Sequence, residues 1–196
     1  MPLRNRQGNT YSVLTGLKLP MLPQQDSARV AVEGFRLERN LPPGTYSLIQ
    51  VVHGIENSPA VRRLFPGEYE LETVLSRTKV SIVPGQGYMR VDPEGIILVA
   101  QEHLHSSDER VVYLDFVHEL VHIKQAKEGR TLYDRSVRYV DKETEIEAYR
   151  VAVCEGRRIG MSEEDLRDYL EVPWITVEEF QRLLKHLGVG SSKDAR

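Results

Sequence analysis

A chain of 196 residues that is 40% hydrophobic has the material for one sizeable core and at most a small appendage, which excludes a pair of large domains. A net charge of -3 excludes nucleic acid as the main partner, since phosphates reward a basic face. The most apolar run, residues 95–100, is only strand-length, so no membrane partner is expected. MPLRNRQGNT carries no apolar leader and Cys154 stands alone, a pattern that fits the reducing cytoplasm.

Residues 1–28 are rich in Pro, Gln, Asn and Gly and read as an extended stretch, so residues 1–45 are expected to form an N-terminal arm or small appendage to a domain over 46–190. Strands are expected over 29–37 and 45–52, around the turn Asn40-Leu41-Pro42-Pro43-Gly44, although the second run could equally open a helix. Ser58-Pro59 is a cap followed by a first-turn proline, and 60–76 reads as one short and one longer helix divided at Pro66-Gly67. Three short β-branched runs follow, at 79–83, 88–91 and 95–100. Pro84-Gly85 and Asp92-Pro93-Glu94-Gly95 separate them, which predicts a small antiparallel meander whose last strand leads directly into the next helix.

That helix holds the most informative stretch of the chain, VVYLDFVHELVHI at 111–123. Its polar residues are Asp115, His118, Glu119 and His122. Taking His118 as zero on a helix, the other three fall at about 60°, 100° and 40°, so all four share one stripe. Two imidazoles and two carboxyls on an otherwise apolar, hence buried, helix are costly unless they bond to one another or to a metal. The spacing His118-Glu119-Leu120-Val121-His122 is H-E-x-x-H. It sets two ring nitrogens one turn apart on one face, which suits a single tetrahedral Zn2+ with Glu119 beside it as general base. Ser107 or Asp108 can cap this helix and Gly129 can end it. In the loop beyond, Tyr133 and Tyr139 are candidate donors to an oxyanion, though packed aromatics are the simpler reading.

A catalytic zinc takes three protein ligands and keeps a fourth position for water. The segment DKETEIEAYRVAVCEGRRIG at 141–160 offers Glu143, Glu145, Glu147 and Glu155. With Glu145 at zero, Ala148, Tyr149, Ala152, Val153 and Gly156 lie within about 80° of it, while Glu143, Glu147, Arg150 and Arg157 cluster opposite. Glu145 therefore occupies the apolar face and is the expected third ligand. Glu143 and Glu147 are expected on the solvated face, paired with Arg150 and Arg157.

These residues resemble the gluzincins, metallopeptidases with an H-E-x-x-H helix and a glutamate ligand from the following helix. The nearer likeness is to the minigluzincins and to metallopeptidases of the phage-immunity and radiation-response type, whose second helix often carries E-x-E-A, matched here by Glu145-Ile146-Glu147-Ala148. The resemblance covers about residues 70–160. It implies His118, His122 and Glu145 as zinc ligands, Glu119 as the base, a peptide or protein substrate, and a substrate-binding edge strand that the run 95–100 would supply. Many gluzincins place an aspartate four residues after the glutamate ligand to orient the first histidine; here that position is Tyr149. Asp115, one turn before His118, is the substitute expected to do this.

Beyond Gly160, Ser162-Glu163-Glu164-Asp165 and Thr176-Val177-Glu178-Glu179 open two helices, the second ending at Gly188, and 191–196 reads as a frayed tail. Acidic residues outnumber basic ones there, which speaks against a DNA-reading pair of helices. The whole is expected to be an α+β, zincin-like domain with C-terminal helices. Two functional readings compete with a zinc peptidase. One is a zincin-like regulatory or protein-interaction module. The other is a di-iron carboxylate protein, since Glu102 and His105 repeat the E-x-x-H of Glu119 and His122.

Overall fold

The H-E-x-x-H run lies in the middle of helix α5, Glu109–Lys127, whose N-terminus is capped by the Asp108 carboxylate accepting the Arg110 N–H. Gly129, at φ 76°, follows the last turn in the left-handed conformation that glycine adopts without strain. Val112, Leu114, Phe116, Val117 and Leu120 are fully buried, so α5 is a core helix on nearly every side. Each such side chain contributes about 1.5–3 kcal/mol of burial, enough to carry a polar stripe whose members satisfy one another. The computed structural model describes residues 32–190, so the extended stretch expected over 1–28 and the tail expected over 191–196 lie outside the described residues.

Helix α6, Glu143–Arg158, lies along α5 with Ala148, Ala152 and Gly156 buried. A Cβ at Gly156 would sit 2.7 Å from Leu166 Cδ2 and 3.1 Å from Leu114 Cδ1, so the small face sets how closely the helices approach. Helices α7, Glu163–Leu170, and α8, Val177–Leu187, close the bundle, each opened by the capping box expected from its sequence.

The sheet differs from the expected meander. Its strands are β2 (Gly44–Ser47), β4 (Lys79–Val83), β5 (Met89–Val91) and β6 (Ile97–Ala100), in the order β2-β4-β6-β5. β6 runs parallel to β4, with Val80 opposite Ile97, and only β5 and β6 form an antiparallel pair across a tight turn. In that turn Asp92 Oδ1 accepts from the amides of Glu94 and Ile96. Because residues 84–88 carry the chain past the position that β6 fills, β5 becomes the edge strand and 97–100 an interior one. The run 95–100 therefore cannot offer a free edge.

Two further expectations are corrected. The strand expected over 29–37 reduces, within the described residues, to β1 (Arg36–Leu37). It pairs with β3 (Val52–His53), and the run 45–52 is divided among β2, the one-turn helix α1 (Leu48–Val51) and β3. This crossing is tight: a Cβ at Gly54, whose φ is 84°, would fall 1.7 Å from the Gly34 carbonyl oxygen. Between β6 and α5 stands a short helix, α4 (Gln101–Ser106), so the strand does not lead directly into the metal helix. Helices α2 (Pro59–Leu64) and α3 (Glu68–Arg77) divide at Pro66-Gly67 as read. Val32, Phe35 and Leu37 belong to the same core as the rest of this α+β fold. Among the described residues no helix is long and apolar enough to cross a membrane.

Candidate metal centre

One turn of α5 separates His118 from His122, and their Nε2 atoms lie 3.0 Å apart. From the first turn of α6, Glu145 Oε2 reaches to 3.4 Å from His118 Nε2 and 3.5 Å from His122 Nε2. A small divalent ion with four ligands at about 2.0–2.1 Å requires ligand-to-ligand edges of about 3.4 Å, close to this triangle. The tautomers fit as well. Gln125 uses its NH2 toward the Thr144 carbonyl (3.0 Å) and Glu147 Oε2 (2.9 Å), so its Oε1 faces His122 Nδ1 at 2.8 Å and the ring proton resides there, which leaves Nε2 as a lone-pair donor. Glu145 Oε2 is buried without a hydrogen-bond partner of good geometry among the described residues. Two buried imidazoles converging on an unsatisfied carboxylate oxygen form a group that can hold a metal ion.

The charges reinforce one another. Burial opposes ionisation of Glu145, yet the two imidazoles that face it at 3.4 and 3.5 Å hold its carboxyl well below the usual range. Without a metal, burial opposes a second proton on His122, but Glu145 and Glu119 push its pKa up to about 9. An ion that binds Nε2 displaces that proton and leaves the one on Nδ1. Glu119 is buried beside the trio without belonging to it, and its Oε2 accepts the Val91 N–H at 2.7 Å. Burial pushes the Glu119 carboxyl upward, against the pull of the two histidines.

The trio and Glu119 open into a cleft. One lobe, about 420 Å³, is lined by His118, Glu119, His122 and Glu145 together with strand β5, Tyr133 and Tyr139. A second lobe, about 370 Å³, shares His118, Glu119, Tyr88, Tyr139 and Trp174 with the first and extends toward α7. Both candidate oxyanion donors therefore line the cleft. Each hydroxyl is engaged: Tyr133 donates to the Val91 carbonyl at 2.8 Å, and Tyr139 bonds the Tyr149 hydroxyl at 2.8 Å. Burial holds the Tyr139 hydroxyl well above its ordinary pKa, so it stays protonated.

Asp115 is placed differently from expectation. Its Oδ2 lies 2.7 Å from Nε2 of His103 on α4, whose Nδ1 meets Ser107 Oγ at 2.9 Å. His118 Nδ1 has no hydrogen-bond partner among the described residues, and the ring is held by Tyr149, edge-on at 4.4 Å between centroids. Glu147 keeps a side chain 44% exposed but differs from expectation in its partners, bonding Gln125 and Arg130, while Arg157 pairs with Glu163. Glu143 is exposed as expected. Glu102 and His105 are exposed on α4 and line a separate depression, so the second E-x-x-H does not join the metal group.

Sequence reasoning missed Gln125 and His103. Gln125 projects at about -20° from His118 and so lies on the polar stripe, two residues past the window in which the stripe was read. His103 carries no local signal, since its partner comes from packing of α4 on α5. Glu155, offered by the sequence only as a ligand candidate, is 0% exposed and instead accepts from the Tyr113 hydroxyl at 2.6 Å and from both Ser58 and Arg158. No family model, curated protein or solved structure matches this chain.

Proposed function

We propose that the protein is a zinc-dependent metallopeptidase of the gluzincin kind, with His118, His122 and Glu145 as zinc ligands and Glu119 as general base. The observation that carries this reading is the triangle of His118 Nε2, His122 Nε2 and Glu145 Oε2 with a fourth carboxylate, Glu119, buried beside it and facing the same cleft. When bound, zinc supplies Lewis acidity that polarises a carbonyl and acidifies water. The chain's own residues do the rest. Glu119, with its pKa raised by burial, takes the proton of the attacking water and hands it to the departing amine. The Val91 amide fixes one oxygen of that carboxylate and leaves the other for the water. Strand β5, at the sheet edge and along the cleft, is the element against which an extended peptide can lie.

A second reading, a zincin-like regulatory or interaction module without peptidase activity, draws support from the same strand. Both outward-facing backbone groups of Val91 are already used, the N–H by Glu119 and the carbonyl by Tyr133. Glu119→Gln separates the two. On the peptidase reading it keeps its zinc and its fold and loses hydrolysis of a diverse peptide library by at least about a thousandfold. Wild type and variant equally inert on that library, with zinc in both, would put the module reading first.

A further inference from the structure

The second lobe of the cleft runs from His118 and Glu119 toward α7, between α5 and the turn 171–175. Its charge is one-sided. Arg110 faces it, but Asp108 at 3.2 Å and Asp165 at 3.5 Å already neutralise that guanidinium. His103 is held by Asp115 at 2.7 Å. Asp168 and Glu171 line the same lobe as exposed carboxylates, with no ion pair or side-chain hydrogen bond among the described residues. A negative rim with no local counter-charge, set in a concave wall, concentrates cations.

Two features point from charge to a ligand. Tyr169, 9% exposed, lines the lobe, and its hydroxyl is buried beside Asp115 without a hydrogen bond of good geometry. A buried hydroxyl left unpaired costs free energy unless an incoming group satisfies it. At the mouth, Tyr88 and Trp174 meet edge to face at 4.9 Å, with 48% and 49% of their surfaces exposed, and Tyr139 stands 6.0 Å from Trp174. Aromatic faces beside carboxylates are the surroundings in which a guanidinium or ammonium binds well, stacked on a ring and bonded at its end.

We propose that this lobe is a specificity pocket for a basic side chain, arginine or lysine, of the peptide that enters the cleft. Tyr88 and Trp174 flank the aliphatic stem and charge, Asp168 and Glu171 draw the cation in, and the Tyr169 oxygen accepts one of its N–H groups. The inference rests on the metallopeptidase reading for the nature of its ligand, but its test does not depend on turnover.

The probe is a set of acetyl-Ala-Ala-X-Ala-Ala-amide peptides with X as arginine, lysine, citrulline or norleucine, titrated calorimetrically against the zinc-loaded full chain carrying Glu119→Gln. The arginine and lysine peptides should bind about tenfold more tightly than the neutral pair. Adding Asp168→Asn with Glu171→Gln should shrink that preference to about threefold or less, and Tyr169→Phe should weaken the arginine peptide while leaving norleucine unchanged. Asp168 and Glu171 are exposed and form no hydrogen bond or ion pair with the trio, so unchanged zinc content certifies the fold of the variant. Equal affinity for all four peptides, absence of binding included, overturns the pocket. A basic preference that survives the double substitution overturns it too. Basic preference in binding with no hydrolysis by wild type keeps the pocket and removes the peptidase, whereas hydrolysis without basic preference does the reverse.

Discussion

At the scale of single residues, the metal group depends on what holds each ligand as much as on the ligands. Gln125 fixes the His122 tautomer and at the same time ties α5 to the Thr144 carbonyl at the start of α6, the turn that carries Glu145. Gln125→Leu should therefore weaken zinc binding by about 10–100-fold in a competition titration against a chelator. Asp115→Asn, which touches His103 rather than a ligand, should change zinc affinity by no more than about threefold. In the same assay Glu145→Gln should cost at least about tenfold and Glu143→Gln almost nothing. The two histidines, Glu119 and Glu145 were legible in the sequence because helical periodicity places them on buried faces where an isolated polar group is costly. The role expected of Asp115 was not, because a residue one turn before His118 can reach either that ring or a neighbouring helix, and only the packing of α4 decides.

At the scale of elements, patterning identified the runs 79–83, 88–91 and 95–100 as strands and most of the helices, but not the short β1–β3 pair or the order of the sheet. Alternation at 79–83 and a short apolar run at 97–100 report strands; neither carries information on which neighbours pair, and a β5 displaced to the edge satisfies the same pattern. Helix contact was more readable, since Ala148, Ala152 and Gly156 announce a close approach at helical spacing. Gly156→Ala should destabilise the protein by about 1–3 kcal/mol in urea unfolding, because the new methyl must displace the Leu166 and Leu114 side-chain ends. An unchanged midpoint would show that α5, α6 and α7 have slack at this crossing.

At the scale of the whole molecule, Glu155 joins the N-terminal half to the helical bundle: its carboxylate binds Ser58 at the start of α2, Tyr113 on α5 and Arg158 on its own helix. Burial opposes its charge, but Arg158 and Tyr113 hold its pKa below the ordinary 4.5. A carboxylate with a depressed folded-state pKa contributes stability that is complete above the unfolded value and lost as pH falls through the folded one. The stability gap between wild type and Glu155→Gln should accordingly be widest above about pH 4.5 and close as pH falls further, read from urea midpoints across a pH series. A gap constant over that range would mean that Glu155 acts by shape and not by charge.

The central claim, that His118, His122 and Glu145 together hold one zinc ion, is tested most directly by metal content and X-ray absorption of the reconstituted full chain. The account predicts close to one zinc per chain with two imidazole nitrogens and oxygen in its shell, abolished by His118→Ala or His122→Ala. Two irons, or no metal after reconstitution, would contradict it.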